Sequence, residues 1–313
     1  MTFDLDLVVT AIDDAVSGVR TVVFEAHDGG SLPAFVPGSH LAIDAGGRIN
    51  AYSLTSAGTA PRSYSISVLR VADGNGGSAW VHDKLSLGDV VRARMPRSAF
   101  APIARASKHL LIAGGIGITP ILSHLRAAAQ WGRDVQVLYT FREGAGAHIE
   151  DILELDPRAE LFTAGAEEFM ARLREVLVDQ PIGTHLYVCG PGPMIDAVLD
   201  TGTQLGWPES RLHFERFSLD SLGPGEPFEV RLTASGATVQ VPSGTSLLEA
   251  LEATGIEVPN LCRQGVCGEC RLPVTGGTPL HRDLFLSDDE KAGGDAVMAC
   301  VSRAEGPILE VAL

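Results

Sequence analysis

The chain has 313 residues, a length that suits two or three domains better than one compact core. Hydrophobic residues make up 45% and charged residues 20% of the chain, and the mean hydropathy is +0.16. This composition excludes intrinsic disorder and a fibrous fold. No apolar run reaches the roughly 18 residues that span a bilayer, and the first residues lack the basic start of a signal peptide. We therefore expect a cytoplasmic protein with no membrane partner.

The charge balance limits the partners that the chain can bind. The formal net charge is −15, from 24 basic and 39 acidic residues. Nucleic acids and anionic membranes repel an acidic surface, so this balance argues against both as partners. It permits electrostatic steering towards a basic protein partner, although the same charge also keeps a protein soluble without any partner.

The first 217 residues fall into two segments with different sequence patterns. Residues 1–103 carry short alternating runs, such as 20–25 and 63–68, separated by turn-forming residues; this pattern is typical of an antiparallel barrel or sandwich. From 104 to 217, apolar strands alternate with helices, which predicts a doubly wound parallel sheet. The predicted strands are His109–Ala113, Val135–Thr140 and His185–Cys189, and the predicted helices are Pro120–Trp131, Glu167–Leu177 and Met194–Leu205.

Residues 218–226 are polar with a Gly-Pro-Gly centre, as expected of a linker between domains. The third unit, 227–313, is predicted to open with a hairpin (Phe228–Leu232, Thr238–Val241) and a helix at Ser246–Ala253. The sequence thus predicts three domains, at 1–103, 104–217 and, after the linker, 227–313.

Four of the five cysteines lie in the third unit, as Cys262-x4-Cys267-x2-Cys270 and, after 29 further residues, Cys300. In a chain without an export signal, such clustering indicates metal binding rather than disulfides. Thiolates at this plant-type spacing hold a [2Fe–2S] cluster, and glycines in the loop let backbone amides turn towards the sulfur atoms. Structural zinc is the alternative, but zinc sites usually pair two Cys-x2-Cys elements, and one is present here.

A glycine-rich turn follows the first strand of the parallel sheet. Gly115 and Gly117 let the backbone approach a pyrophosphate, and the N-terminus of the next helix favours its negative charge. Thr119 is the expected N-cap residue of that helix and Pro120 its first residue. Alone, this motif also fits an ordinary tight connection.

A second turn strengthens the prediction of a nucleotide site. Cys189, Gly190 and Pro191 come at the carboxyl end of another strand, which is where ligands bind in open α/β sheets. Cys189 by itself also fits an ordinary buried thiol.

A chain that combines a hydride donor with a one-electron cluster needs a converter, and flavin is the usual one. The barrel offers Asn50-Ala51-Tyr52-Ser53-Leu54, in which Tyr52 would face the ring and Ser53 would hydrogen-bond a ring nitrogen. Gly76-Gly77-Ser78 would cradle a phosphate through backbone amides. Arg62-Ser63-Tyr64-Ser65 is a near-match on the next strand. Each segment alone also fits an ordinary strand or turn.

Together these segments resemble the phthalate dioxygenase reductase family, which includes the vanillate demethylase reductases, over essentially the whole chain. Three features carry the resemblance: the domain order, the Gly-Gly-Ser after the second flavin strand, and the Cys-Gly-Pro followed by a ferredoxin-like unit. The family's flavin motif is Arg-x-Tyr-Ser-Leu, and Asn50 replaces its arginine. The resemblance implies an antiparallel β-barrel flavin domain, an α/β parallel-sheet nucleotide domain and a C-terminal α+β plant-type ferredoxin (β-grasp) domain.

The resemblance also implies cofactors and residue roles. The cofactors are FMN, NADH and a [2Fe–2S] cluster on the four cysteines. Ser67, Val68 and Leu69 would edge the flavin. Phe217 corresponds to the family's aromatic residue at the end of the nucleotide domain, or else to plain core packing. The residues expected around the reacting flavin and nicotinamide are Ser53, Thr119 and Cys189.

The resemblance implies a monomeric reductase component that moves electrons from NADH through FMN and the cluster to the terminal component of a two-component Rieske-type oxygenase. Two alternatives stay open: a reductase for a haem monooxygenase, and an iron–sulfur electron carrier or redox sensor without flavin. Arg142 follows a strand where the adenosine ribose usually lies, and it is the one arginine between residues 142 and 148. A single arginine, with the resemblance, favours NADH over NADPH.

Overall fold

The computed structural model describes residues 3–47, 49–72, 76–98, 100–163, 165–217, 224–260, 263, 265, 268–283 and 285–313. Contacts within the chain separate two compact units, a larger one that ends at Arg216 and a smaller one that begins at Phe217. Arg48, Cys262 and Cys267 lie outside the described residues. Within the described ranges, no helix is both long enough and apolar enough to cross a bilayer.

The first part of the larger unit is an antiparallel sheet of six strands: β1 (Leu5–Asp13), β2 (Val19–Ala26), β3 (His40–Asp44), β4 (Ile49–Ser53), β5 (Tyr64–Leu69) and β6 (Val90–Ala93). Their order is β4-β3-β6-β1-β2-β5. A bridge between Leu54 and Ile66 joins the two outer strands, so the sheet closes into a barrel. Helix α1 (Gly77–Asp83) follows β5.

Alternation along the strands builds the barrel core. In β2, Phe24 is fully buried while Glu25 is exposed. In β5, Tyr64 and Ile66 belong to the same core. Because side chains of a strand alternate between its two faces, Ser67 lies on the outer face of the barrel.

The second part of the larger unit is an α/β module. Its strands are β7 (Lys108–Gly114), β8 (Val135–Thr140), β9 (Glu160–Phe162), β10 (Thr184–Cys189) and β11 (Leu212–Glu215), and its helices are α2 (Ile118–Trp131), α3 (Ile149–Leu155), α4 (Ala166–Val178) and α5 (Gly192–Gln204). The five strands are parallel, in the order β11-β10-β7-β8-β9. The order reverses between β7 and β10, so the carboxyl ends of these two strands form the crevice in which such sheets bind ligands.

The smaller unit is an α+β fold. It contains β12 (Phe228–Leu232), β13 (Thr238–Val241), β14 (Arg271–Gly276), β15 (Pro279–Leu280), β16 (Ala296–Met298), β17 (Arg303–Ala304), β18 (Ile308–Val311), α6 (Leu247–Ala253) and α7 (Asp288–Gly293). Five strands form the sheet β13-β12-β18-β14-β16, and β15 pairs with β17. Ser246 and Glu249 form a capping box that starts α6, and Leu247 and Leu251 bury its apolar face.

The strands and helices predicted from the sequence are present, with ends shifted by at most two residues. The prediction for Thr119 and Pro120 is wrong. A turn of 3-10 helix at Gly115–Gly117 runs directly into α2, so the helix begins at Ile118 and Gly117 is its N-cap residue. Helices α1 and α3 were not predicted: seven residues are too few to reveal a helical period, and among the described residues neither begins with the side-chain cap that starts α6, which has the same length.

Three histidine rings surround the buried ring of Tyr187. The ring centroids of His109, His124 and His213 lie 5.3, 4.9 and 4.6 Å from that of Tyr187. Burial lowers the pKa of His124 to about 3 and that of His213 to about 4. Nε2 of His124 donates to the carbonyl oxygen of Phe100 at 2.8 Å. The imidazole of His124 is therefore neutral in the folded protein at neutral pH.

This burial predicts acid sensitivity. A histidine whose folded pKa lies below its unfolded value of about 6.5 stabilises the fold above that value, and the stability is lost as the pH falls below it. For His124 we expect a loss of about 2 kcal/mol between pH 7 and pH 5. His124→Gln keeps a donor near the position of Nε2 and cannot titrate. Urea unfolding at both pH values should show the wild-type protein losing about 2 kcal/mol more than the variant.

The variant is needed as the reference because Glu215 titrates in the opposite sense. Burial raises the pKa of Glu215 to about 8, so its neutral form stabilises the fold progressively as the pH falls from about 8. The two effects partly cancel in the wild-type protein, whereas the difference between the two proteins isolates His124. An identical pH dependence of both proteins would show that His124 is not a buried neutral group.

Candidate cofactor sites

The turn after β7 and the turn after β10 are in direct contact at the carboxyl edge of the parallel sheet. A Cβ atom added to Gly117 would lie 2.3 Å from the carbonyl oxygen of Cys189, and one added to Gly114 would lie 2.4 Å from Sδ of Met194. Gly115 has a φ of +52°, which glycine adopts without strain. Two sequence motifs more than 70 residues apart therefore form one surface, and glycine is required for it.

The predicted residues of this crevice differ in exposure. Thr119 is buried, and its hydroxyl donates to the carbonyl oxygen of Ile116 at 3.1 Å. The thiol of Cys189 is fully buried, and burial raises its pKa well above the usual value. A Cβ atom on Gly190 would lie 3.0 Å from Cα of Gly114, so the Cys-Gly-Pro backbone runs close beside the glycine turn.

Glu215 is a residue of this crevice that sequence analysis missed. It ends β11 and pairs in register with Cys189 of β10. Burial raises the pKa of its carboxyl group to about 8, and its Oε2 atom has no hydrogen-bond partner among the described residues. A neutral carboxyl group can both donate and accept a hydrogen bond. The sequence feature that could have identified Glu215 is an acidic residue at the carboxyl end of a short strand.

The two segments predicted to hold the flavin phosphate meet at the start of α1. A Cβ atom on Gly77 would lie 2.3 Å from Cγ of Asn50, so the Asn50 amide packs on the helix start. Gly76, with a φ of +91°, is the N-cap residue, and no side chain in the described part of the chain caps α1. Ser78 accepts a hydrogen bond from the amide of Val71 at 3.1 Å. The groups described at this corner, the Asn50 amide, the glycine backbone and the Ser78 hydroxyl, are all neutral.

Arg70 lies close to this corner, at the end of β5. Its guanidinium forms two hydrogen bonds with the carboxylate of Asp83, one of them 2.8 Å long. Both side chains are largely exposed. The Arg70 guanidinium is therefore already paired with a carboxylate. Arg48, two residues before Asn50 in the sequence, lies outside the described residues.

The remaining residues of the predicted flavin motif lie on β4. The hydroxyl oxygen of Tyr52 is buried and has no hydrogen-bond partner among the described residues, and burial raises the pKa of this phenol well above its usual value. Ser53 is buried and pairs with His40 of β3, whereas Ala51 is exposed. A buried hydroxyl without a partner fits a ligand that brings a polar group to this edge.

The three residues predicted along β5 face in two directions. Val68 belongs to the barrel core, so only its backbone can reach a ligand outside. Ser67 and Leu69 lie on the outer face, and the Ser67 hydroxyl is 2.8 Å from Nε2 of His148. Phe217, with an exposed side chain, is grouped with the smaller unit.

In the smaller unit, the two described cysteines lie at the ends of two paired strands. Cys270 immediately precedes β14, and Cys300 follows β16, which pairs with β14. Their Sγ atoms are 3.1 Å apart, longer than the disulfide bond of about 2.05 Å and close enough for both to bind one iron atom. The other two cysteines of the motif, Cys262 and Cys267, lie outside the described residues.

Two glycines of the cysteine loop have positive φ, +73° at Gly265 and +79° at Gly268. A Cβ atom would lie 2.6 Å from Cγ2 of Val301 at the first position and 2.4 Å from the ring of Phe285 at the second. The loop therefore needs glycine for both its conformation and its packing. A tight loop of this kind, next to two adjacent thiols, fits an iron–sulfur cluster.

The fold and these sites define a class: an oxidoreductase that combines a flavin barrel, a pyridine-nucleotide module and a plant-type ferredoxin. Residues 89–212 match the family described as dimethylamine monooxygenase subunit DmmA-like, N-terminal domain. Residues 230–305 match the 2Fe-2S iron-sulfur cluster binding domain family. The cofactors of this class are FMN, NADH and a [2Fe–2S] cluster.

Known proteins resemble the chain over its full length. It is 40% identical to a heme-dependent oxidative N-demethylase beta subunit of Ectopseudomonas mendocina, over 97% of this chain and 98% of that one. It is 36% identical to a vanillate O-demethylase oxidoreductase of a Pseudomonas species, again over 97% and 98%. A solved phthalate dioxygenase reductase matches with a TM-score of 0.85 and 32% identity, covering 99% and 98% of the two chains. The chain belongs to the phthalate dioxygenase reductase family, and the expected fold class is confirmed.

Removing one cysteine thiol should remove the cluster. A [2Fe–2S] centre needs its four cysteine ligands, so Cys270→Ala should lower the iron content from about two atoms per chain to near zero and abolish the cluster's visible absorbance. Cys189→Ser, which also changes a buried thiol, should leave the iron content unchanged. A Cys270→Ala protein that keeps its iron after gel filtration would contradict the assignment.

Proposed function

We propose that the protein is the NADH-dependent reductase component of a two-component Rieske-type oxygenase. The observation that carries this proposal is one chain that combines the glycine crevice between β7 and β10 with the adjacent thiols of Cys270 and Cys300. NADH donates a hydride, which carries two electrons, whereas the cluster accepts one electron at a time. FMN, when bound, supplies the exchange between two-electron and one-electron transfer.

We assign the sites as follows. The barrel, 1–103, holds FMN; the module at 104–217 holds NADH; the ferredoxin domain, 227–313, follows the linker 218–226. The FMN contacts are Asn50, Ala51, Tyr52, Ser53, Ser67, Val68, Leu69, Gly76, Gly77, Ser78 and Phe217. The NADH contacts are Gly115, Gly117, Thr119, Cys189, Gly190 and Pro191, and the cluster ligands are Cys262, Cys267, Cys270 and Cys300.

The residues of this chain bind the cofactors, orient them and exclude water from the site. The backbone at Gly115 and Gly117 approaches the dinucleotide without side-chain hindrance. The buried Cys189 thiol and the neutral Glu215 carboxyl place no charge on the inner wall of the crevice. Oε2 of Glu215, which has no partner among the described residues, can hydrogen-bond the nicotinamide amide. No residue needs to abstract a proton, because the hydride passes between the cofactors.

The partner is an oxygenase component. Residues 227–313 contain 12 acidic and 6 basic side chains, which supports docking against a basic surface. A haem monooxygenase is the second candidate, because the relative at 40% identity is a subunit of a heme-dependent N-demethylase. We propose a monomer, because one chain carries all three sites, and a cytoplasmic location, where NADH is supplied.

Electron transfer can be tested with two artificial acceptors and both nucleotides. We expect a higher kcat/KM with NADH than with NADPH. Cys270→Ala should still reduce ferricyanide, which takes electrons from flavin, but should fail to reduce cytochrome c, which depends on the cluster. Equal loss of both activities would contradict separate flavin and cluster sites. A protein that binds no flavin even after supplementation would instead support the iron–sulfur carrier alternative.

The absence of the motif arginine should weaken FMN binding. The FMN phosphate carries close to two negative charges, for which a bidentate arginine is a strong partner. The neutral amide of Asn50 supplies no charge, and Arg70 is paired with Asp83. Asn50→Arg should therefore tighten FMN binding about tenfold, measured by fluorescence titration of the flavin-free protein.

Asn50→Gln is the matched control, because it lengthens the side chain without adding charge, and it should not tighten binding. Unchanged affinity in Asn50→Arg would place the phosphate elsewhere. Preferential retention of FAD would contradict the assignment of FMN.

A further inference from the structure

Four consecutive hydrogen bonds connect the barrel with the α/β module of the larger unit. Oγ1 of Thr21 in β2 lies 2.8 Å from Oγ of Ser67 in β5, which lies 2.8 Å from Nε2 of His148. Nδ1 of His148 lies 2.9 Å from Oδ2 of Asp151, and Arg126 of α2 donates to Oδ1 of Asp151 at 2.7 Å. The series joins two barrel strands to two helices of the nucleotide module.

The carboxylate of Asp151 determines which atom donates in its hydrogen bond with His148. Burial opposes ionisation of Asp151, but its hydrogen bond with His148 and the nearby charge of Arg126 lower its pKa below the usual value. An ionised carboxylate only accepts, so Nδ1 of His148 carries a hydrogen atom. Nε2, the other ring nitrogen, makes the hydrogen bond with the Ser67 hydroxyl. The imidazole is thus held at both nitrogens, one in each module.

The backbone at His148 supports the same interpretation. His148 precedes α3 with a φ of +60°, which is uncommon for a residue other than glycine. Its side chain is only 12% exposed. A residue persists in this conformation when its surroundings hold it there. The contacts of the imidazole with Ser67 and Asp151 are side-chain interactions that help to hold it there.

The rest of this interface is mixed: Val19 of β2 and Phe100 belong to the same buried apolar cluster as Tyr187, whereas the part beside His148 is open. A cavity of about 710 Å³ runs along it and is lined by Thr21, Arg126, His148 and Asp151, together with residues of β1, β5 and α3. Beside this space, apolar packing contributes little to the local spacing of the two modules. The polar series therefore carries much of the spacing between β5 and the start of α3.

We propose that His148 is a positioning residue that fixes the flavin strand β5 relative to the nucleotide module. The proposal rests on the proposed function, in which Ser67 edges the FMN and the module that contains His148 holds the NADH. Hydride transfer depends steeply on the geometry of donor and acceptor. His148 itself touches neither reacting atom, and it acts through Ser67 and Asp151.

Hydrogen–deuterium exchange tests the structural part without any cofactor. His148→Gly removes the imidazole and leaves a residue that adopts a positive φ without strain, and Ser67→Ala removes the same bond from the other side. Both variants should raise the exchange rates of β5 and of residues 146–151 by about 3–10-fold. His185→Ala, which loses an imidazole and its 2.9 Å hydrogen bond to His213 at the amino end of β10, should leave them unchanged.

Single-turnover kinetics test the functional part. At saturating NADH, the rate of flavin reduction in His148→Gly should fall about 3–10-fold, while the NADH dissociation constant and FMN affinity stay unchanged. Because both single changes remove the shared bond between Ser67 and His148, their effects on the rate should not multiply in the double variant. If His148→Gly does not fold, Ser67→Ala, with its FMN affinity measured as a check, carries the test.

Unchanged exchange in β5, or effects that multiply in the double variant, would overturn the proposal. So would raised exchange with an unchanged rate of flavin reduction. A protein without flavin would instead contradict the proposed function, while the exchange comparison would still report whether His148 joins the two modules.

Discussion

The close backbone contact between Gly117 and Cys189 is the constraint on which the larger unit depends. A side chain at residue 117 would place its Cβ atom 2.3 Å from the Cys189 carbonyl oxygen, so any other residue would push the turn after β7 away from the end of β10. These are the two strands between which the sheet order reverses, and their separation would open the crevice that the reversal creates. The geometry of the crevice thus follows from the absence of one side chain.

The same close packing controls the chemistry of the groups behind it. Cys189 and Glu215 lie side by side on paired strands, both buried, and burial raises both pKa values. A charge at either group would stand in a medium that solvates it poorly, so the crevice keeps a thiol and a neutral carboxyl. Glu215 and Tyr52 each keep a buried polar atom without a partner among the described residues. Both atoms lie in the proposed cofactor sites, where a ligand would satisfy them.

Much of this arrangement was predictable from the sequence. Hydrophobic periodicity gave the long helices and the strands, glycine after strands marked both turns of the crevice, and cysteine spacing identified the ferredoxin unit. The seven-residue helices α1 and α3 were not predictable, since they are shorter than the pattern that reveals a helix and lack, in the described part of the chain, the side-chain cap that marks the equally short α6. Glu215 and the bond between Ser67 and His148 were missed because they depend on tertiary contacts. Ser67 and His148 are 81 residues apart, and no local spacing pattern relates them.

Two kinds of interaction therefore set distances in the larger unit, and they differ in stiffness. Inside the α/β module, glycine packing fixes the crevice by repulsion, which rises steeply with any approach. Between the barrel and that module, the spacing beside the cavity depends on hydrogen bonds, each with a net contribution of about 1 kcal/mol. Displacement of β5 relative to the start of α3 is thus the softer motion, whereas Val19 and Phe100 pack into the buried core of the module. In the proposed function, sequence change at Ser67 or His148 would adjust the geometry of the flavin while leaving the nucleotide crevice intact, whereas change at Gly117 would not.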